Sequence, residues 1–168
     1  LVQNAAHSAE IPITLDSNVS LDYGTGVPLF YLTASQPDVH ILPLSYSGLP
    51  LKMHIRYGTV LKDVFENSSK RVAIIASGDL SHCLSSDAPL GYKPEGETYD
   101  TKILEVVKGM SMAALLSMDA DLLEHAHACV HEQMLILFGT LEHKKVRPEI
   151  LSYEHPFGVG YLVAQVHV

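Results

Sequence analysis

Two kinds of apolar spacing alternate along this chain. Short runs at 11–15, 39–44 and 72–76 read as strands, the last being five apolar residues bounded by Ser77 and Gly78, too short for a typical helix. Longer stretches carry helical spacing. After Pro50, the positions Leu51, Ile55, Val60, Leu61, Val64 and Phe65 form a stripe that predicts a helix to about Glu66. Further helices are predicted over 98–107, 111–118 and 119–143, the last broken in the middle, with Asp119 and Asp121 suiting the positive end of its dipole. Turn residues at 22–26 precede a helix expected from Val27 with Pro28 in its first turn. Pro89, Gly91, Pro94 and Gly96 mark 85–96 as a loop. Two closing runs, 149–153 and 160–168, flank a turn at 154–158 and predict an antiparallel edge hairpin. Strands alternating with helices predict a three-layer α/β/α domain with a mainly parallel sheet.

Composition narrows the function classes. A chain of 168 residues is about one domain, and no internal repeat or linker divides it. With 19 acidic against 11 basic residues, the net charge of -8 gives no footprint for nucleic acid. No apolar run has the length to cross a bilayer, and the first ten residues lack the pattern of a signal peptide. Two cysteines, Cys83 and Cys129, are too few for a disulfide framework and point to a reducing cytoplasm. Ten histidines fit metal or proton chemistry. The chain begins at Leu1 without methionine, and we expect it to be the C-terminal part of a longer domain.

Candidate chemistry gathers in two places. Past the carboxyl end of the 72–76 strand stand Asp79, Ser81 and His82, where open α/β sheets bind ligands. Gly78 is expected to let the chain turn sharply there. Histidine alone titrates near neutrality in its unperturbed state, which makes His82 a candidate acid/base; the alternative is a turn with a solvated histidine. Further on, His125, Cys129 and Glu132 are spaced i, i+4, i+7 and share one face if the helix is continuous. They are either metal donors or a solvent-facing polar stripe, and His127 with His131 forms a second such pair. No HExxH, Walker motif, GxSxG elbow or complete dinucleotide fingerprint is present.

Three separated motifs, DYGTGVPLFYL, ASGDLSH and LSYEHPFGVGYLVA, occur in the order found in the subunit-B-type class III extradiol ring-cleavage dioxygenases. The chain resembles that family over 22–166, within a bacterial branch related to the Memo-like proteins. The resemblance implies an α/β/α fold and a non-haem iron(II) centre, or another divalent metal, held by two histidines and a carboxylate with positions open to a small catechol-like substrate and dioxygen. It makes His82 the acid/base that accepts a catechol proton and later returns one, with Asp79 and Ser81 shaping its pocket. It places Asp22, Tyr23 and Thr25 at the substrate pocket, where ring-cleaving relatives read Asp-His-Gly and this chain reads Asp22, Tyr23, Gly24. The resemblance implies that the two iron histidines come from an N-terminal segment ahead of this chain; His7 and His40 do not match their context. The remaining ligand is Glu132, or Cys129 as in the Memo-like branch. The alternative function is a non-catalytic metal- or peptide-binding module on the same fold. An apolar final strand leaves room for a homo-oligomer.

Overall fold

The computed structural model describes residues 1–17, 20–36 and 38–168, and the chain folds as mixed helix and sheet. In order, the elements are α1 (Val2–Ser8), α2 (Tyr23–Leu32), α3 (Leu51–Glu66), α4 (Pro94–Gly109), α5 (Met112–Leu116), α6 (Ala120–Ala126), α7 (His131–Thr140), β1 (Arg147–Glu154), a 3-10 turn (Pro156–Gly158) and β2 (Tyr161–His167).

α3 starts after Pro50 and ends at Glu66, as its apolar stripe predicts. It crosses α7 where two glycines meet. A Cβ on Gly58 would lie 2.8 Å from Gly139 Cα, and one on Gly139 would lie 2.9 Å from Gly58 Cα, so neither position has room for a side chain. Tyr57, Leu61 and Ile136 close one apolar cluster there with Ala6 and Ile11. The larger cluster joins α4 to α7 through Tyr99, Ile103, Leu115, Leu122, Leu135 and Phe138, and receives Leu80 from the candidate segment. Ile103, Leu115 and Leu135 are fully buried, which stabilises by about 1.5–3 kcal/mol for each such side chain.

Several helix boundaries differ from the sequence expectation for local reasons. Pro94 does not break the chain but opens α4 at its first position, with Glu95 and Glu97 in the first turn, where a missing N–H and negative charge are both favourable. The 119–143 stretch is broken in the middle as expected, into α6 and α7. Asp119 caps α6 by accepting from the N–H groups of Asp121 and Leu122, and His127 ends it in a left-handed conformation (φ 52°, ψ 37°). α2 begins at Tyr23 rather than Val27, capped by Asp22, whose Oδ1 accepts from Thr25 N–H at 2.7 Å. Pro28 therefore lies inside α2 and cannot donate to the carbonyl of Gly24 one turn earlier. Ser77 Oγ supplies that donor from outside the helix, at 2.6 Å.

The predicted C-terminal hairpin is present: β1 pairs antiparallel with β2 from Arg147↔His167 to Glu154↔Tyr161, with an irregularity between Ile150 and Ser152. The mainly parallel sheet is not formed among the described residues, where β1 and β2 make up the sheet. Residues 11–15, 39–44 and 72–76 lie outside any ladder, and Val39, Ile41, Leu42, Val72, Ile74 and Ile75 are exposed. A parallel strand is stable with neighbours along its edges and helices over its faces, and these runs have no strand neighbour here. α2 also buries none of its residues, leaving Phe30 and Tyr31 about three-quarters exposed at 73% and 75%. Among the described residues no helix is long and apolar enough to cross a membrane.

Candidate active site

Residues 79–84 are held by backbone hydrogen bonds on both sides. On one side Cys129 N–H donates to Asp79 O at 3.0 Å and His82 N–H donates to Ala126 O at 3.3 Å. On the other, Leu80 N–H and Leu84 N–H donate to Gly160 O and Gly158 O, and Gly160 N–H returns to Ser81 O at 2.8 Å. Gly78 serves this arrangement differently from the expectation. Left-handed glycines among the described residues are Gly91 and Gly158, so Gly78 is not required for a sharp turn. It permits close approach instead: a Cβ there would lie 2.9 Å from both Cys129 O and Val130 Cα.

That packing brings three chemically competent side chains together. Asp79 Oδ2 lies 3.5 Å from His82 Nε2, and Asp79 N–H donates to Cys129 Sγ at 3.1 Å. The ligand atoms of Asp79, His82 and Cys129 all fall within 4.8 Å of one another. His82 Nδ1 stands 2.6 Å from the carbonyl oxygen of His127. A carbonyl only accepts, so Nδ1 carries the hydrogen, and Nε2 is left on the side of Asp79. The same backbone-carbonyl bracing sets the ring orientation of metal-bound histidines. One imidazole, one carboxylate and one thiolate fit a divalent transition metal, the sulfur adding a softer donor than the usual two-histidine, one-carboxylate iron set.

Beneath the three lies a buried polar layer. Ser81 is fully buried, its Oγ 3.1 Å from Cys83 Sγ. Its N–H donates to Asp100 Oδ1 at 2.9 Å, and Tyr153 O–H donates to Asp100 Oδ2 at 2.8 Å. Burial pushes the Asp100 carboxyl above its ordinary range, against the opposing pull of these two donors and of His155 and His82. The Tyr153 hydroxyl is raised in turn by its own burial and by Asp100. Nearby, Tyr99 O–H and His131 Nδ1 are 3.4 Å apart, and burial holds His131 below the usual imidazole value.

The structure separates the other sequence candidates. Because the chain breaks after α6, His125, Cys129 and Glu132 do not share a continuous helical face. His125 Nδ1 bonds the Asp121 carbonyl within α6 at 2.7 Å, and Glu132 sits in the first turn of α7, outside the Asp79, His82, Cys129 group. Asp22 and Thr25 are engaged in capping α2, and their hydrogen bonds hold the Asp22 carboxyl below its usual value. Tyr23 is 89% exposed. The α2 N-terminal turn reaches the site region through Ser77 alone among the hydrogen bonds found for the described residues. Two residues not singled out from sequence, Asp100 and Lys93, support the site, together with His127, which the sequence pairs with His131 instead. Asp100 had a signal, since it lies on the buried stripe of α4 with Ile103 and Val107, where an unpaired carboxylate is costly. Lys93 and His127 act through a contact between distant segments, with Lys93 Nζ 2.7 Å from His127 Nε2.

Comparison with known proteins identifies the family. Residues 2–164 match the family described as the catalytic LigB subunit of aromatic ring-opening dioxygenase. The chain belongs to the LigB family. A similar protein from Clostridium acetobutylicum, Protein CA_C1420, is 37% identical over 151 residues, covering 90% of this chain and 32% of the relative. This LigB chain thus spans about a third of the length of the curated relative it matches.

Proposed function

We propose that this LigB-family chain contributes the proton-transferring half of an extradiol-type ring-opening site for a small catechol-like aromatic, with His82 as acid/base, Cys129 as a metal donor and Asp79 beside them. The observation that carries the reading is the 2.6 Å contact of His82 Nδ1 with the His127 carbonyl, which orients the ring so that Nε2 stands with Asp79 and Cys129. Nε2 can accept a phenolic proton, and the Asp79 carboxylate at 3.5 Å stabilises the imidazolium that results. The same nitrogen then returns the proton to the opened product. Bound iron(II) would supply substrate chelation and dioxygen activation. Asp100, through Ser81 N–H, fixes the backbone immediately before His82.

As the domain reading, the chain is the C-terminal part of an α/β/α LigB unit whose two further histidine ligands lie in an N-terminal segment. The exposed apolar runs at 39–44 and 72–76 support it, as strands awaiting neighbours in a parallel sheet.

A second reading follows from the same geometry: Nε2 also lies among the three donor atoms, and one lone pair cannot bind metal and carry a proton. In that case the chain is a metal-holding module without turnover. Full-length protein purified without oxygen separates the two, by metal content and catechol-dependent oxygen uptake. His82→Gln that keeps about one metal per chain but loses ring opening supports the acid/base role. Loss of metal on the same substitution supports the module, and His82→Gln with wild-type turnover removes both roles. Cys129→Ala is expected to lose metal and Glu132→Ala to keep it.

A further inference from the structure

The carbonyl that fixes His82 belongs to a residue with an unusual backbone and an unusual partner. His127 is left-handed (φ 52°, ψ 37°), a region that residues with a Cβ rarely adopt without local support. Its side chain has that support: Nε2 accepts from the Lys93 ammonium at 2.7 Å. Lys93 is itself pinned against the residue that follows His82, because its N–H donates to Cys83 O at 2.9 Å, and it immediately precedes α4. The side chain of Lys93 therefore spans from the 79–84 segment to the 127–129 turn. That turn delivers two groups at once, the His127 carbonyl to His82 Nδ1 at 2.6 Å and Cys129 Sγ to Asp79 N–H at 3.1 Å.

We propose that Lys93 and His127 are a positioning pair, which holds the 127–129 turn so that the His127 carbonyl selects the Nδ1–H tautomer of His82 and Cys129 Sγ meets Asp79. Neither residue joins the group of ligand atoms; both act through His82 and Cys129. The metal part of the inference rests on the proposed function, while the tautomer part stands on geometry alone.

Two readouts on full-length protein test it. Long-range nitrogen–proton NMR of the His82 ring reports the tautomer without metal. Cobalt(II) titration, followed by the thiolate charge-transfer band, reports assembly of the donor set. The wild type is expected to show Nδ1–H at His82. Lys93→Met is expected to raise the Nε2–H population and weaken cobalt binding by about 10–100-fold, the range for groups that orient metal ligands. Lys93→Arg, which keeps a charged donor, should restore both. His127→Gly, which tolerates the left-handed backbone but lacks the side chain, should behave like Lys93→Met with an unchanged melting temperature. An unaltered His82 tautomer in Lys93→Met, with cobalt affinity within about twofold of wild type, overturns the proposal; the orienting effect it asserts is larger. A wild type that binds no cobalt, while Lys93→Met still shifts the tautomer, upholds the positioning pair and removes the metal reading of the site.

Discussion

Replacing Asp100 with alanine removes an acceptor shared by two donors from different parts of the fold. Ser81 N–H, 2.9 Å away and on a fully buried residue, is left without a partner, at about 1–3 kcal/mol. Tyr153 O–H, 2.8 Å away on a half-buried residue, can turn to water and loses roughly 0.5–1.5 kcal/mol. The sum is about 1.5–4.5 kcal/mol, or on the order of 10 °C in melting temperature for a chain of this size. Asp100→Asn keeps an acceptor for Ser81 and a polar group for Tyr153, and should stay within about 1 kcal/mol of wild type. The pair also carries a pH signature. Burial raises the folded-state pKa of Asp100, so the folded form holds this proton more tightly than the unfolded one. Relative to Asp100→Asn, wild-type stability is therefore fully present below the ordinary carboxylate pKa and is lost as pH rises through the raised folded value. Urea unfolding of the three proteins from acid to neutral pH measures both effects. Asp100→Ala unfolding within about 0.5 kcal/mol of wild type, the scatter of ordinary surface changes, would refute the reasoning, as would Asp100→Asn losing as much as Asp100→Ala.

Two further substitutions probe contacts that hold the site. Gly78→Ala places a methyl 2.9 Å from the backbone of Cys129 and Val130; a loss of about 1–3 kcal/mol and faster labelling of the Cys129 thiol are expected in denaturation and thiol-reagent assays. Ser77→Ala deprives the Gly24 carbonyl of its outside donor, with a loss of about 1 kcal/mol seen as faster amide exchange in α2. In a Pro28→Ala background the restored N–H can serve Gly24, and the cost of Ser77→Ala should shrink toward zero.

Patterns that a segment satisfies by itself were legible in the sequence. The stripe after Pro50 gives α3 its length, and two closing runs around a turn give the β1–β2 hairpin. Pro28 and Pro94 were harder, because the same residue signals a break or a helix start according to what satisfies its neighbours. Ser77, distant in sequence, satisfies the carbonyl left by Pro28. The 11–15, 39–44 and 72–76 runs have strand composition, yet strand formation depends on partners that composition does not name. At the site, the GDLSH segment marked Asp79 and His82, and Cys129 stood out as a donor. The helical face that His125, Cys129 and Glu132 would share in a continuous helix is not formed, because His127 turns left-handed before it is complete. Lys93 escaped notice since a lysine in a loop carries no period, and His127 pairs by spacing with His131 rather than with Lys93, its partner across the fold.

His82 and Cys129 find their partners 45 and 50 residues away along the chain. No single helix or hairpin contains the constellation, so there is no local precursor from which it can grow. Closing loops of that length precedes any reward from the contacts they make, which sets assembly of the three side chains late in folding. A fragment that keeps α4 to α7 but lacks the 79–84 segment retains much of the larger apolar cluster and none of the chemistry. Conversely, any ion or molecule captured between Asp79, His82 and Cys129 favours the whole folded chain over the unfolded one by mass action. Occupancy there becomes a stabilising cross-link between distant stretches of polypeptide.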